Sequence, residues 1–267
     1  MSLALAARAR VAPKRVAANA RCARDARARA SAREGDARLS SWARELGGSL
    51  DGGDFRRASA VEASSSSPFA SSAFAWVYWR GYRQAFGALG YPGAEREAAT
   101  ALRTLAPCGR LLDASCGPGL ITEMLARAPG PRFEEVIAVD YSEAMVRAAR
   151  ERCGDVALVC AADVSDLPFA DGVFDAVHSS AGAHCWDKPE DGFRELHRTL
   201  KPGGKALIST VVLLKKTGTE SAYERGRRAN TPFWDERSVC RMMESVGFHN
   251  VEVVGKDKCF VAIKASK

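Results

Sequence analysis

Asp113, Asp140 and Asp163 each stand at or near the end of a short apolar run, and the first is followed by the loop Cys116-Gly117-Pro118-Gly119. Carboxylates so placed can accept hydrogen bonds from the two hydroxyls of a ribose or from the exocyclic amine of adenine. Gly117 and Gly119 let bare backbone approach a ligand without a Cβ in the way. Each part has a plainer reading: a tight strand-to-helix turn that binds nothing, or an acid that caps a helix. A dinucleotide-binding dehydrogenase is the rival ligand reading. Its fingerprint needs a third glycine, where this chain has Thr122, and Pro118 removes an amide between the first two. No Gly-Lys-Ser/Thr ending marks a phosphate loop, so the loop suits a nucleoside better than a polyphosphate.

The elements that must position these acids alternate along the chain. Strands are expected at 110–114, 135–140, 156–161, 173–180, 205–214, 250–255 and 259–265. Helices are expected at 94–105, 120–128, 142–153, 189–200 and 235–248, with Ser142 as an N-cap and Pro189 in a first turn. Alternation of this kind gives an α/β fold with a doubly wound, mostly parallel sheet. The last two strands are close enough in sequence to pair as an antiparallel hairpin. In such sheets a ligand sits beyond the carboxyl ends of the strands, where the three acids fall.

Of 39 Lys and Arg and 32 Asp and Glu, residues 1–60 hold 13 and 6, leaving 26 of each in 61–267. The folded part is therefore about neutral, and a nucleic-acid surface is not indicated. Residues 1–33 contain one acid, Asp25, among many Arg and Ala, the signature of an organelle transit peptide. A basic disordered tail is the plainer alternative. Residues 1–60 are expected to be transit peptide and disordered linker, 61–93 an N-terminal lid helix, and 94–267 the main domain. The eight cysteines form no Cys-x-x-Cys pair and no zinc-finger spacing with the four histidines, so no metal is expected. No run of about 18 apolar residues occurs.

The stretches "LLDASCGPG", "AVDYSEAM", "ADVSDLPFADGVFDAVHS" and "ELHRTLKPGGKALIST" resemble the motif series of class I S-adenosylmethionine-dependent methyltransferases. More narrowly they are similar to the ubiquinone/menaquinone-biosynthesis (type 11) group and its plastid members in plants and algae. The resemblance covers about 78–265 and implies a seven-stranded Rossmann-like sheet with one antiparallel strand. It implies S-adenosyl-L-methionine as cofactor, with Asp113, Gly117 and Gly119 beside its methionine part. Asp140 and Tyr141 would meet the ribose, and Asp163 and Val164 the adenine. One departure is that Ala114-Ser115 stands where the group commonly has a glycine. It further implies a plastid enzyme, with a mitochondrial address as the alternative, acting on a small apolar, quinone-like or prenylated acceptor. A scaffold that binds the cofactor without transfer is the alternative function.

Methyl transfer to a hydroxyl, or to a carbon beside one, is helped by a general base. His184, in "SSAGAHCW" after the fourth strand, is the candidate base, and Trp186 a candidate acceptor wall; both have packing as the plainer reading. His178 reads as a satisfied core group. Tyr78, Tyr82 and Phe86 recur every four residues, giving an aromatic face to a helix over 73–87. From it Tyr82 and Arg83 are candidates for substrate contact. The basic segment 213–234 reads as a solvated loop, with cover over the substrate or contact with an anionic membrane surface as the alternatives, and the plastid reading leaves plastoglobule or thylakoid association open. Oligomeric state is open.

Overall fold

The computed structural model describes residues 82–130, 132–212 and 235–267. The expectations for 1–60, for residues 73–81 of the aromatic helix and for the segment 213–234 lie outside the described residues. Seven strands form one sheet: β1 (Cys108–Ala114), β2 (Phe133–Asp140), β3 (Leu158–Ala161), β4 (Phe174–Ser180), β5 (Leu200–Val211), β6 (His249–Asp257) and β7 (Phe260–Ser266). Their order is β3-β2-β1-β4-β5-β7-β6, with β7 antiparallel to both neighbours. The chain winds outward from β1 to β3, then returns to place β4 against β1. The loops after β1 and β4 therefore part in opposite directions and leave a crevice between them.

Among the described residues five α-helices cover the two faces: α1 (Ala94–Leu105), α2 (Leu120–Ala126), α3 (Glu143–Cys153), α4 (Pro189–Thr199) and α5 (Glu236–Ser245). Side chains alternate across each strand, so Leu111, Val136 and Ala138 pack with α1, α2 and α3 while Leu112, Ile137 and Val139 pack with the α4 and α5 side. Asp113 shares the face of Leu111 by the same alternation. Starts of helices follow sequence chemistry. Ser142 Oγ accepts from Met145 N–H at the head of α3, Pro189 opens α4, and Asp235 and Ser238 form a reciprocal box on α5.

Two elements differ from the sequence reading. The strand expected to start at residue 205 starts at Leu200, and Lys201-Pro202-Gly203-Gly204 lie inside β5 as a register shift between the Phe174–Leu200 and Ala176–Lys205 pairs. Gly203 N–H donates to Lys267 O and Lys267 N–H to Gly204 O, both at 3.0 Å, so the C-terminus holds this bulge in the ladder. The described part of the aromatic helix, Tyr82–Leu89, is a 3-10 helix. At three residues per turn it departs from the α-helical period on which the aromatic spacing was read. The segment instead docks on the β6–β7 hairpin. Cys259 N–H donates to Leu89 O at 3.0 Å, and Tyr91 meets Phe260 edge-on with centroids 4.6 Å apart.

Phe193 of α4 is fully buried between Trp186 and the sheet. Phe193→Ala is expected to lower unfolding free energy by about 3–5 kcal/mol. A urea titration checks this through the midpoint, with the slope unchanged.

Candidate functional site

The loop after β1 is tied to the tip of β2. Cys116 N–H donates to Val139 O at 3.0 Å, and Gly117 N–H donates to Asp140 Oδ2 at 2.9 Å. The other carboxylate oxygen, Oδ1, accepts from Ser142 N–H at 2.9 Å. Burial with Asp113 nearby pushes the Asp140 carboxyl up to about 6, against the opposing pull of those two N–H donors. Each oxygen keeps acceptor capacity, as an ionised carboxylate offers about four lone-pair sites. Tyr141 beside it is exposed.

The two glycines do different work. Gly117, at φ +56°, has nothing within 4 Å of where a Cβ would stand, so its bare side opens on empty space. Gly119, at φ +78°, faces α3: a Cβ there would meet Cys153 Sγ at 3.0 Å and Ala149 Cβ at 3.1 Å. It allows α2 to lie close to α3, the packing task that a third glycine has in the dinucleotide fingerprint.

The acids do not share one crevice equally. Asp163 Oδ1 accepts from Ser165 N–H and Oγ–H at 2.8 and 2.7 Å, while its Oδ2 has no hydrogen bond among the described residues. Val164 packs its side chain in the core, so its main chain is what it can offer a ligand. Asp113 corrects the expectation. It is 2% exposed, with Oδ2 accepting from Thr122 Oγ–H and Oδ1 from His178 Nδ1–H at 2.8 Å. Its place on the α1–α3 face puts it beneath the loop, where it fixes α2 and β4 rather than opening to a ligand. His178 is the satisfied core group that its position inside a strand suggests.

Across the crevice, Ser115 (φ +58°) and Ala181 (φ +57°) are both left-handed, a conformation that favours glycine and occurs here at the tips of β1 and β4. Trp186 Nε1–H donates to Ser115 Oγ at 2.9 Å, and its ring packs against Gly192 and Phe193. Ser115 thus holds Trp186 at the edge of the cofactor-side loop. The sequence signal for this was the missing glycine, whose meaning becomes clear only with the tryptophan beside it. His184, on the short 3-10 helix Ala183–Cys185, sits with Nδ1 3.3 Å from Thr210 Oγ1. Burial pulls its pKa down to about 4, so the imidazole is neutral at ordinary pH and a weak proton acceptor. Tyr82 and Arg83 begin the 3-10 helix, and their side chains lie outside what is described. Glu97, which sequence reasoning passed over, is buried and receives a hydrogen bond from Ser180 Oγ–H. Its signal was a charge on the stripe of Ala98, Ala101 and Leu105 that α1 buries.

Open space over Gly117, a half-buried carboxylate with spare acceptor sites and a second, half-bonded one in the loop after β3 fit an adenosine-bearing ligand. Residues 112–208 match the family described as "Methyltransferase domain". An uncharacterized chloroplastic methyltransferase of Arabidopsis thaliana is 36% identical over 54% of this chain and 43% of its own length. A second from the same plant is 40% identical over 51% of this chain and 41% of its own length. The matched part thus spans well under half of these two relatives. A demethylmenaquinone methyltransferase of Clavibacter sepedonicus is 32% identical over 56% of this chain and 70% of its own length. Among solved structures, a possible histamine N-methyltransferase of Thermotoga maritima has a TM-score of 0.55 at 22% identity, covering 73% of this chain and 97% of that one. At that identity the likeness speaks for the fold.

Gly117→Ala and Gly119→Ala are expected to separate ligand from packing. The first should weaken binding of S-adenosylhomocysteine about tenfold or more by filling open space, the second should lower stability by about 1–3 kcal/mol through crowding of α3. Both also carry the strain of a positive φ. Calorimetric titration and thermal melts of the two variants check the split.

Proposed function

The chain belongs to the class I S-adenosylmethionine-dependent methyltransferases of the ubiquinone/menaquinone-biosynthesis group, and from that membership we propose that it moves a methyl group to a small apolar, quinone-like acceptor in the plastid. The single observation that carries the cofactor half is the Asp140 carboxylate, clamped between Gly117 and Ser142 N–H groups beside the open face of Gly117. Asp140 would receive the ribose hydroxyls, Asp163 Oδ2 the adenine amine, and the Val164 main chain the ring edge. Gly117 would lie against the methionine part, Tyr141 beside the ribose. When bound, the cofactor supplies a methyl group already activated as a sulfonium.

The protein's share is then position and exclusion of water. Asp113 acts as a positioning residue, holding the β1 tip to α2 and β4 through Thr122 and His178. Trp186, anchored on Ser115, walls the side of the crevice where an acceptor would enter. His184 is neutral throughout the working range, so its proposed role is to accept a hydrogen bond and orient the acceptor, with little driving force for full proton removal. The plastid address is supported by the Arg-rich, acid-poor leader and by the chloroplastic names of the two Arabidopsis relatives.

The test is incubation of the full chain with methyl-labelled S-adenosylmethionine and a plastid lipid extract. A labelled lipid is the expected product; cofactor binding with no labelled product would instead favour the scaffold reading. The pH dependence follows from Asp140. Ribose hydroxyls donate to its ionised form, so affinity for S-adenosylhomocysteine should be flat above neutrality and fall as pH drops through about 6. Asp140→Asn should bind about tenfold or more weakly at pH 7 and lose that fall. Stability runs the other way. A native carboxyl raised from 3.8 to about 6 binds its proton more tightly than the unfolded chain does, so this group's contribution is full below about 4 and lost as pH rises through about 6.

A further inference from the structure

The loop that follows β3 carries Asp163 and Val164, and α4 holds it at its middle and its far end. Where the loop enters β4, Gly172 N–H donates to Arg198 O at 3.0 Å and Val173 N–H to Thr199 O at 2.9 Å. Nearer Asp163, Leu167 N–H donates to Glu195 Oε2 at 2.8 Å. The Arg198 side chain supplies the rest. Its Nη2 donates to Leu167 O at 3.0 Å, and its Nη1 to Phe169 O and Asp171 Oδ1, both at 2.7 Å. Its Nε and Nη2 also donate to the two oxygens of Glu195, each at 2.7 Å.

These bonds use every N–H that a guanidinium has, so Arg198 acts on the site through the loop and not by donating to a ligand. Three of its partners, Leu167, Phe169 and Asp171, lie in the loop. The fourth is the Glu195 carboxylate, which meets it as a fork and takes the Leu167 N–H on the same Oε2. Leu167 is thus held by both its N–H and its carbonyl, and its side chain is buried with those of Val164 and Phe169. The turn before it is closed by Asp166 N–H on Asp163 O at 3.1 Å, and Asp163 Oδ1 is fixed by Ser165. A continuous run of bonds therefore leads from the guanidinium to Asp163 and sets the height of its Oδ2. Lysine could not stand in: three donors on a point charge do not span two carbonyls and a forked carboxylate in one plane.

We propose that Arg198, locked to Glu195, is the positioning residue for recognition of the cofactor's base: it sets Asp163 Oδ2 and the Val164 main chain against the purine, and with them the preference for an amino over an oxo group on that ring. The inference rests on the proposed contact between Asp163 and the adenine amine. To that contact it adds a residue that governs its geometry from α4 without touching the base.

The experiment titrates the full chain calorimetrically with S-adenosylhomocysteine and with S-inosylhomocysteine. The second carries an oxo group where adenine has its amine, and so sets an oxygen against the carboxylate. The wild-type chain should favour the adenosyl ligand about tenfold or more, the worth of one hydrogen bond to a charged acceptor. Arg198→Lys should weaken the adenosyl ligand by about that factor and leave the inosyl ligand nearly unchanged, so that the preference collapses. Glu195→Gln should act in the same direction to a smaller extent, and serves if Arg198→Lys does not fold. Asp163→Asn should remove the preference, and Arg198→Lys added to it should take no more away. Thermal melts report whether each variant is folded. A folded Arg198 or Glu195 variant that keeps the wild-type preference, or that loses both ligands by the same factor, would overturn the inference, since an arginine serving stability alone behaves in those ways. A wild-type chain that binds both ligands equally would defeat the Asp163 contact, and one that binds neither would defeat the cofactor reading; each takes the inference with it.

Discussion

The carboxylate of Asp140 is the point on which the site turns. It stands half-buried at the end of β2 and is held by two backbone N–H groups from different segments. One belongs to the loop after β1, the other to the head of α3. The same bonds that keep a half-buried acid tolerable therefore fix the loop's height and the helix's entry. Two competing forces act on it: burial raises its pKa and the N–H donors lower it, and burial wins. A group so balanced is sensitive to any further donor brought to it, which is what a nucleoside hydroxyl would be.

Around that acid the two halves of the sheet are joined by polar contacts rather than by packing alone. Asp113 links β1 to α2 and β4, and Ser115 links the β1 tip to Trp186 beyond β4. The left-handed backbone at Ser115 costs something that glycine would not. Its hydroxyl gives in return a fixed indole. On the far side, under α1, Glu97 accepts from the Ser180 hydroxyl of β4, which accepts in turn from the Ser209 hydroxyl of β5. The crevice and the Glu97 cluster thus share one frame, and movement of β4 would be felt in both.

Much of this was legible in the sequence, for physical reasons. Period-two and period-3.6 patterns placed the strands and α-helices of the described residues, and Ser142 marked its helix because a cap is a local interaction. The bulge at Gly203 was not legible, since it is made by the distant Lys267 closing the ladder. The 3-10 helix at Tyr82–Leu89 was misread because aromatic spacing fits an α-helical stripe, while docking on the β6–β7 hairpin is a tertiary matter. At the site, Asp113 looked equal to Asp140 because both end strands. Only side-chain alternation and two partners, Thr122 and His178, distinguish a buried clamp from an open ligand. Glu97 needed attention to a charge on an apolar stripe. His184 could be named as a pocket histidine, but its weak basicity comes from burial, which no spacing reveals.

The most direct measurement is the titration of the Asp140 carboxyl by carbon NMR, in the chain alone and with S-adenosylhomocysteine. The account predicts a midpoint near 6 in the free chain that moves clearly downward with the ligand bound, because ribose hydroxyls favour the ionised form. A midpoint that stays in place while the ligand is bound would mean that this carboxylate does not hold the nucleoside, and would contradict the assignment of the site.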